Sequence, residues 1–193
     1  MARPREFDET AALDGAIECF WRNGYEATSV RELARRMGIN CTSLYNAYGS
    51  KRALFRRALD RYLDRSMRER IARIEASRPP KRAIRAFIAE IIARSVADAD
   101  RRGCLLVNSA MEVAPHDRDL RRTIAQRLGE LEAFFRRCVI AAQRNGSIPP
   151  DRNPADLARL LLGVVLGIRV LARSNPNAAL MRGLARPALR LLD

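Results

Sequence analysis

Between Thr28 and Lys51 the chain reads TSVRELARRMGINCTSLYNAYGSK, and its hydrogen-bonding side chains gather where one short helix would carry them on a single face. Leu44 and Tyr48, four apart, point one way; Cys41, Thr42, Ser43, Tyr45, Asn46 and Ala47 are left on the other. Hydroxyl and amide groups there can bond base edges and phosphates, and small residues among them permit close approach to a duplex. Lys51 follows in the first turn of a further helix that Ser50 would cap, within reach of a phosphate. The chain offers little for catalysis. His116 is its one histidine, and there is no phosphate-binding glycine loop and no G-x-S-x-G elbow. Recognition is therefore expected rather than turnover, with no cofactor and no metal.

The elements that must position these side chains are legible. Ser29 and Glu32 have capping-box spacing, in which the Ser accepts from a backbone N–H and the Glu reaches back. Val30, Leu33, Ala34 and Met37 recur at helical spacing. Gly38 sits where that helix must end, since glycine tolerates the positive φ of a sharp exit, and Asn40 can cap the next helix. Two short helices around such a turn form a helix-turn-helix, whose second helix enters a DNA major groove. A glycine turn alone also fits an ordinary helical hairpin with a solvated face; the combined pattern favours DNA. Ahead of it, Asp8 or Glu9 opens a helix that Gly24 stops, with Leu13, Ala16, Ile17 and Phe20 as its buried stripe.

The remainder reads as helical throughout, giving an all-α fold of about nine helices. A long fourth helix spans about residues 50–77 and ends at Pro79-Pro80; others cover about 81–99, 104–113, 117–144, 154–173 and 178–192. The division expected is a head, residues 1–50, and a body, residues 51–193. Formal net charge is +14, yet residues 1–50 hold six arginines against seven acids. The excess lies later, and a coding bias toward arginine explains it as well as nucleic acid does, because only Lys51 and Lys81 are lysine. Residues 157–172, LARLLLGVVLGIRVLA, are too short to span a bilayer and contain Arg159 and Arg169. With no export signal read at the N-terminus, a cytoplasmic protein with no membrane partner is expected. Four cysteines without a C-x-x-C pair indicate neither a zinc site nor a disulfide framework.

The run of Phe20, Gly24-Tyr25, Thr28-Ser29, Leu33-Ala34, Gly38, Leu44-Tyr45, Tyr48-Gly49-Ser50-Lys51 and Leu54 resembles the N-terminal domain of the TetR family of transcriptional repressors, over roughly residues 8 to 58. The resemblance implies an all-α homodimer with helix-turn-helix heads on a pseudo-palindromic double-stranded operator and a body that binds a small-molecule inducer. It implies phosphate contacts from Thr28 or Ser29, Tyr45, Tyr48 and Lys51, and places Arg31, Cys41, Thr42 and Asn46 nearest base edges. Asn40 and Ser43 complete the DNA-binding set. Cys41 and Ala47 depart from the residues common in the family, which bears on operator sequence.

Two features of the body bear on regulation. Helix eight is apolar nearly all round, so part of it needs cover from another chain. Gly163 and Gly167 would permit close approach, and the expectation is a four-helix dimer interface from the helices near 154–173 and 178–192. The segment RGCLLVNSAMEVA, residues 102–114, is similar to one found in a family branch that includes electrophile-responsive repressors. Cys104 would sit at a helix N-terminus, where the dipole favours a thiolate, with Asn108, Met111 and Glu112 on the same face. Cys104 is also readable as a small buried apolar residue, which is what most such cysteines are. Tyr62, Phe87, Met111 and Phe134 could line an apolar pocket or simply form core; Glu112 and His116 could orient a polar ligand or pair at the surface. Two regulatory readings stay open: release by a small-molecule inducer, or thiol-based electrophile sensing through Cys104.

Overall fold

The computed structural model describes residues 8–193, which leaves Arg3, Arg5 and Glu6 of the head's charge count outside the described residues. Among the described residues there are nine continuous helices and no strand. Helix α1 (Glu9–Asn23) begins where Asp8 Oδ1 accepts from the N–H groups of Thr10 and Ala11, and ends at Gly24 with φ +85°. Helices α2 (Val30–Met37) and α3 (Cys41–Tyr48) are joined through Gly38, φ +68°, the left-handed exit that a Cβ would strain. Leu33, Leu44 and Phe20 are sealed in the head. At Gly15 the backbones of α1 and α2 come so close that a Cβ would lie 2.5 Å from the Arg36 carbonyl oxygen, so only glycine fits that crossing.

Helix α4 runs from 51 to 77. It is α-helical over Lys51–Leu63, passes through a π turn at Asp64–Arg68, and resumes over Glu69–Ser77. Its first turns close the head: Phe55 stands edge-on to Phe20 (ring centroids 5.0 Å) and to Tyr25 (4.9 Å). Its later turns enter the body, where Ile74 is fully buried. One rigid element thus belongs to both cores.

The body adds α5 (Pro80–Ala97), α6 (Leu105–Glu112), α7 (Arg118–Arg144), α8 (Pro154–Ser174) and α9 (Ala178–Arg190). Proline at the first position starts α5 and α8, where its missing N–H leaves no bond unmade. Bounds differ from the sequence reading by at most two residues, as frayed ends do. The shift at the end of α5 has a cause: Asp98 turns its carboxylate back to accept from the Arg102 N–H at 2.8 Å, which folds the chain into a loop. Phe87, Phe134 and Phe135 meet at centroid distances of 5.2 to 5.7 Å and form the centre of the body.

Helix α8 buries Leu157, Leu161, Val164, Val165 and Ile168 within the chain and leaves Leu160 and Val170 exposed; α9 leaves Leu180 and Leu184 exposed, and Leu191 just past its end is exposed as well. Nothing lies within 4 Å of a Cβ at Gly163. A Cβ at Gly167 would be 3.0 Å from a methyl of Leu184, so the closeness at Gly167 serves α8–α9 packing inside one chain. None of the described helices is long and apolar enough to cross a membrane.

Candidate DNA-contacting face and body cavity

The local chemistry of the head fixes which side chains can reach outward. Asn40 Oδ1 accepts from the Ser43 N–H at 2.7 Å and sets the start of α3. Buried Leu44 and Tyr48 then anchor that helix, leaving Thr42, Tyr45 and Asn46 exposed and Cys41 and Ser43 half-buried at its outer side. Ser29 Oγ accepts from the Glu32 N–H at 3.1 Å and Ser50 Oγ from the Ala53 N–H at 3.1 Å. Arg31 is exposed on α2. These groups are gathered around one surface.

Three sequence-derived assignments change in detail. Thr28 is completely enclosed, and its hydroxyl donates to the Gly24 carbonyl at 2.5 Å, so of the two side chains the family resemblance offers to a phosphate, Thr28 or Ser29, Thr28 is committed to the loop. Tyr48 is likewise enclosed, with Arg57 over its ring at 5.1 Å. The reciprocal half of the capping box is missing, because Glu32 Oε1 takes a hydrogen bond from Asn23 Nδ2 at 2.8 Å. Lys51 rests its ammonium over the Tyr25 ring (4.5 Å) and donates to the Glu26 carbonyl at 3.3 Å, which leaves further N–H donors for an anion.

Head and body are also joined by polar links. Glu112, at the end of α6, accepts from the Tyr25 N–H (3.1 Å) and the Glu26 N–H (2.9 Å) in the α1–α2 loop. Arg52 of α4 holds Asp117 at 2.5 Å and Asp119 at 2.9 Å at the start of α7. Arg102 reaches Glu18 of α1 at 3.2 Å and lies over the Trp21 ring at 4.4 Å. Arg22 holds Asp100 at 2.9 Å. Sequence spacing suggested a Glu112–His116 pair; the orphan N–H groups after α1 draw Glu112 to the head instead, and His116 is exposed.

Between α1, α4, α5, the α5–α6 loop and α8 lies a cavity of about 840 Å³. Its outer wall carries paired charges. Bonds from Arg61 and charge from Arg65 hold the Asp14 carboxyl below the usual carboxylate range. Its lining also carries buried Tyr62, Arg70 and Ser95, half-buried Arg169 and, at the exposed edge, Arg94. Of the ligand-contact candidates read from the sequence, only Tyr62 lines this space; burial raises its phenol pKa, and the hydroxyl donates to Cys104 Sγ at 3.7 Å. Cys104 caps α6 and is half-buried. Asn108 Nδ2 donates to the Arg102 carbonyl at 2.9 Å and braces the loop. Phe87 and Phe134 are core, because the aromatic cluster closes around them, and Met111 faces outward with 69% of its surface exposed.

Sequence reasoning missed the inner wall although a signal existed. Met67, Arg70, Ile71 and Ile74 fall at i, i+3, i+4 and i+7, as do Ile88, Ile91, Ile92 and Ser95. A polar residue on an inward stripe marks either a core defect or a lined cavity.

Comparison with known proteins agrees with this geometry. Residues 12–58 match the family described as bacterial regulatory proteins, tetR family, and residues 80–186 match the tetracyclin repressor-like C-terminal domain. The chain is 31% identical to the HTH-type transcriptional repressor ComR of Escherichia coli (strain K12), over 98% of this chain and 90% of that protein. It is 33% identical to the uncharacterised HTH-type transcriptional regulator YezE of Bacillus subtilis (strain 168) over the full length of both. Among solved structures, a cysteine mutant of the regulator CifR complexed with 26-base-pair double-strand operator DNA superposes with a TM-score of 0.88 at 31% identity, covering 99% of this chain and 100% of that one. The reduced form of Escherichia coli NemR, at 17% identity and a TM-score of 0.86, shares the fold.

Proposed function

Because the chain belongs to the TetR family of bacterial transcriptional regulators, we propose that it is a ligand-responsive repressor that binds a pseudo-palindromic operator as a dimer and is released by a small molecule. The family and its curated relatives are DNA-binding regulators rather than enzymes. The reading rests chiefly on the outer side of α3, where Thr42, Tyr45 and Asn46 are exposed above a sealed Leu44. In this reading Arg31, Cys41, Thr42 and Asn46 face base edges, while Ser29, Tyr45 and Lys51 hold phosphates. A mobility-shift assay on the promoter region flanking its own gene tests it. Lys51→Ala weakens binding evenly across operator variants and lowers the salt slope by about 1, whereas Asn46→Ala costs about 1–3 kcal/mol at one base position. Equal binding to random competitor overturns the reading.

The same proposal assigns residues 1–50 to the head and 51–193 to the body, acting in the cytoplasm. The apolar side of α8 and α9 pairs with its copy in a partner subunit, as a two-fold operator requires. A ligand in the cavity touches α1, α4 and the α5–α6 loop together. Moving Arg102 or the turns after the π turn of α4 tilts the head and changes the spacing of the two recognition helices.

A second reading, electrophile sensing through Cys104, draws support from the half-buried thiol that accepts the Tyr62 hydroxyl at a helix start and from the likeness to CifR. Cys138, whose thiol burial pushes up to about 12, and buried Cys19 are poor competitors. In a Cys41→Ser background, which removes the thiol on the DNA-facing side of α3, N-ethylmaleimide then releases the protein from operator but not its Cys104→Ser derivative; release retained in that derivative removes this reading.

A further inference from the structure

A buried cation without a complete set of partners is the least expected feature of the body. Arg70 has a side chain only 4% exposed, and its terminal Nη2 is buried with no hydrogen-bond partner. The nearest carboxylate, Glu90, is 3.6 Å from Nε and is already held by Arg73 at 2.6 Å. Among the described residues Arg94 has no carboxylate within ion-pair distance, and Arg169 donates to the hydroxyl of buried Ser95 at 3.2 Å. Burial, with the neighbouring guanidiniums of Arg94 and Arg169, lowers Arg70 from the usual arginine range to about 10. One dehydrated guanidinium beside two more, half-buried Arg169 and exposed Arg94, is costly unless something negative joins them.

The outer lining does not supply that charge. Asp14 is held by Arg61 and Arg65, Glu18 and Asp98 by Arg102, and Asp100 by Arg22. Glu69, also on the wall, is exposed. About 840 Å³ is far more than an inorganic ion fills, and Ile17, Trp21 and Ala172 add apolar surface to the same space.

We propose that this cavity binds a small organic anion, a carboxylate or phosphate monoester whose oxyanion is held by Arg70, Arg94 and Arg169, with Ser95 beside it and the organic body toward Trp21 and Ile17. The proposal names the ligand class of the regulator described above and rests on that reading. Guanidiniums match both oxyanions through paired N–H donors. The bound anion draws together α4, α5 and α8 at the turns just beyond the π turn, so charge neutralisation bears directly on the helix that carries the head.

Thermal unfolding of the full chain with phenyl phosphate, benzoate, benzyl alcohol, benzylamine and inorganic phosphate tests it. The two organic anions raise the melting temperature saturably, and the neutral and cationic isosteres do not. Arg70→Met weakens binding of the responding anion at least tenfold and, without ligand, melts no lower than wild type, because an incompletely paired buried charge is gone. A lower ligand-free melting temperature for Arg70→Met shows a structural ion pair with Glu90 and overturns the proposal. So does equal stabilisation by benzyl alcohol, no response to either organic anion, or unchanged anion binding in the variant. A shift produced by inorganic phosphate alone overturns the organic-body assignment. A wild-type mobility shift without ligand is run alongside: its failure sinks the regulator reading and leaves the melting result standing.

Discussion

Leu160→Asp combined with Leu180→Asp turns the protein into a monomer and lowers operator affinity by about 10²–10⁴-fold. Both side chains are more than 40% exposed on the outer side of α8 and α9, so neither replacement empties the chain's own core. Each places a charge where a partner's helices would bury it. Exposed single leucines need no explanation, but Leu160, Val170, Leu180 and Leu184 are four large apolar side chains left exposed on two helices that pack together. Loss of operator affinity follows from geometry. Two linked heads gain avidity because the second meets its half-site at high effective concentration, and a lone head forfeits that factor. Sedimentation gives the mass and a mobility shift gives the affinity, with circular dichroism to show retained helix. A variant that stays dimeric at micromolar concentration refutes this assignment of the interface.

How much of this was readable beforehand depended on range. Signals that act over three or four residues were reliable: Asn40, Ser50 and Ser29 each accept from the backbone N–H their spacing indicated. Where a local partner competed with a distant one, spacing failed. Glu32 had Ser29 within reach and took Asn23; Glu112 had His116 and took the loop after α1. Thr28 shows a limit of resemblance instead, since one of the two hydroxyls the family pattern offers to a phosphate folds back to a carbonyl four residues away. The cavity lay beyond spacing for another reason. Aromatic residues were readable as its lining or as core; Phe87 and Phe134 meet at a tilt in the core, and arginines share the cavity wall with acids. A high arginine count invites a compositional explanation, and only the helical register of Arg70 and Ser95 among isoleucines separates a lining position from surface charge.

The regulatory consequence is sharpest at Glu112, where one carboxylate joins α6 to the head. Its two oxygens lie 2.7 Å from the point a Cβ at Gly24 would occupy, so the glycine that ends α1 also makes room for the acid. Each oxygen accepts one backbone N–H that the end of α1 leaves without a helical partner. Hydrogen bonds from neutral donors to a charged acceptor contribute about 1.5–3 kcal/mol each, and half-exposure of Glu112 puts this pair at the lower end. Glu112→Ala therefore lowers the stability of the chain by about 2 kcal/mol in urea unfolding. It also speeds hydrogen exchange at the Tyr25 and Glu26 amides about tenfold or more, while protection in the body around Phe134 falls only with global stability. Glu112→Gln restores one acceptor and recovers part of the protection. The functional effect follows from the same bonds. Coupling between two sites needs an element that both states hold differently, and this contact is one of few polar ties between α6 and the head. With it removed, a ligand that still binds the cavity with unchanged affinity moves operator affinity by a smaller factor. Unaltered exchange at Tyr25 and Glu26 in Glu112→Ala shows that the carboxylate carries none of that connection.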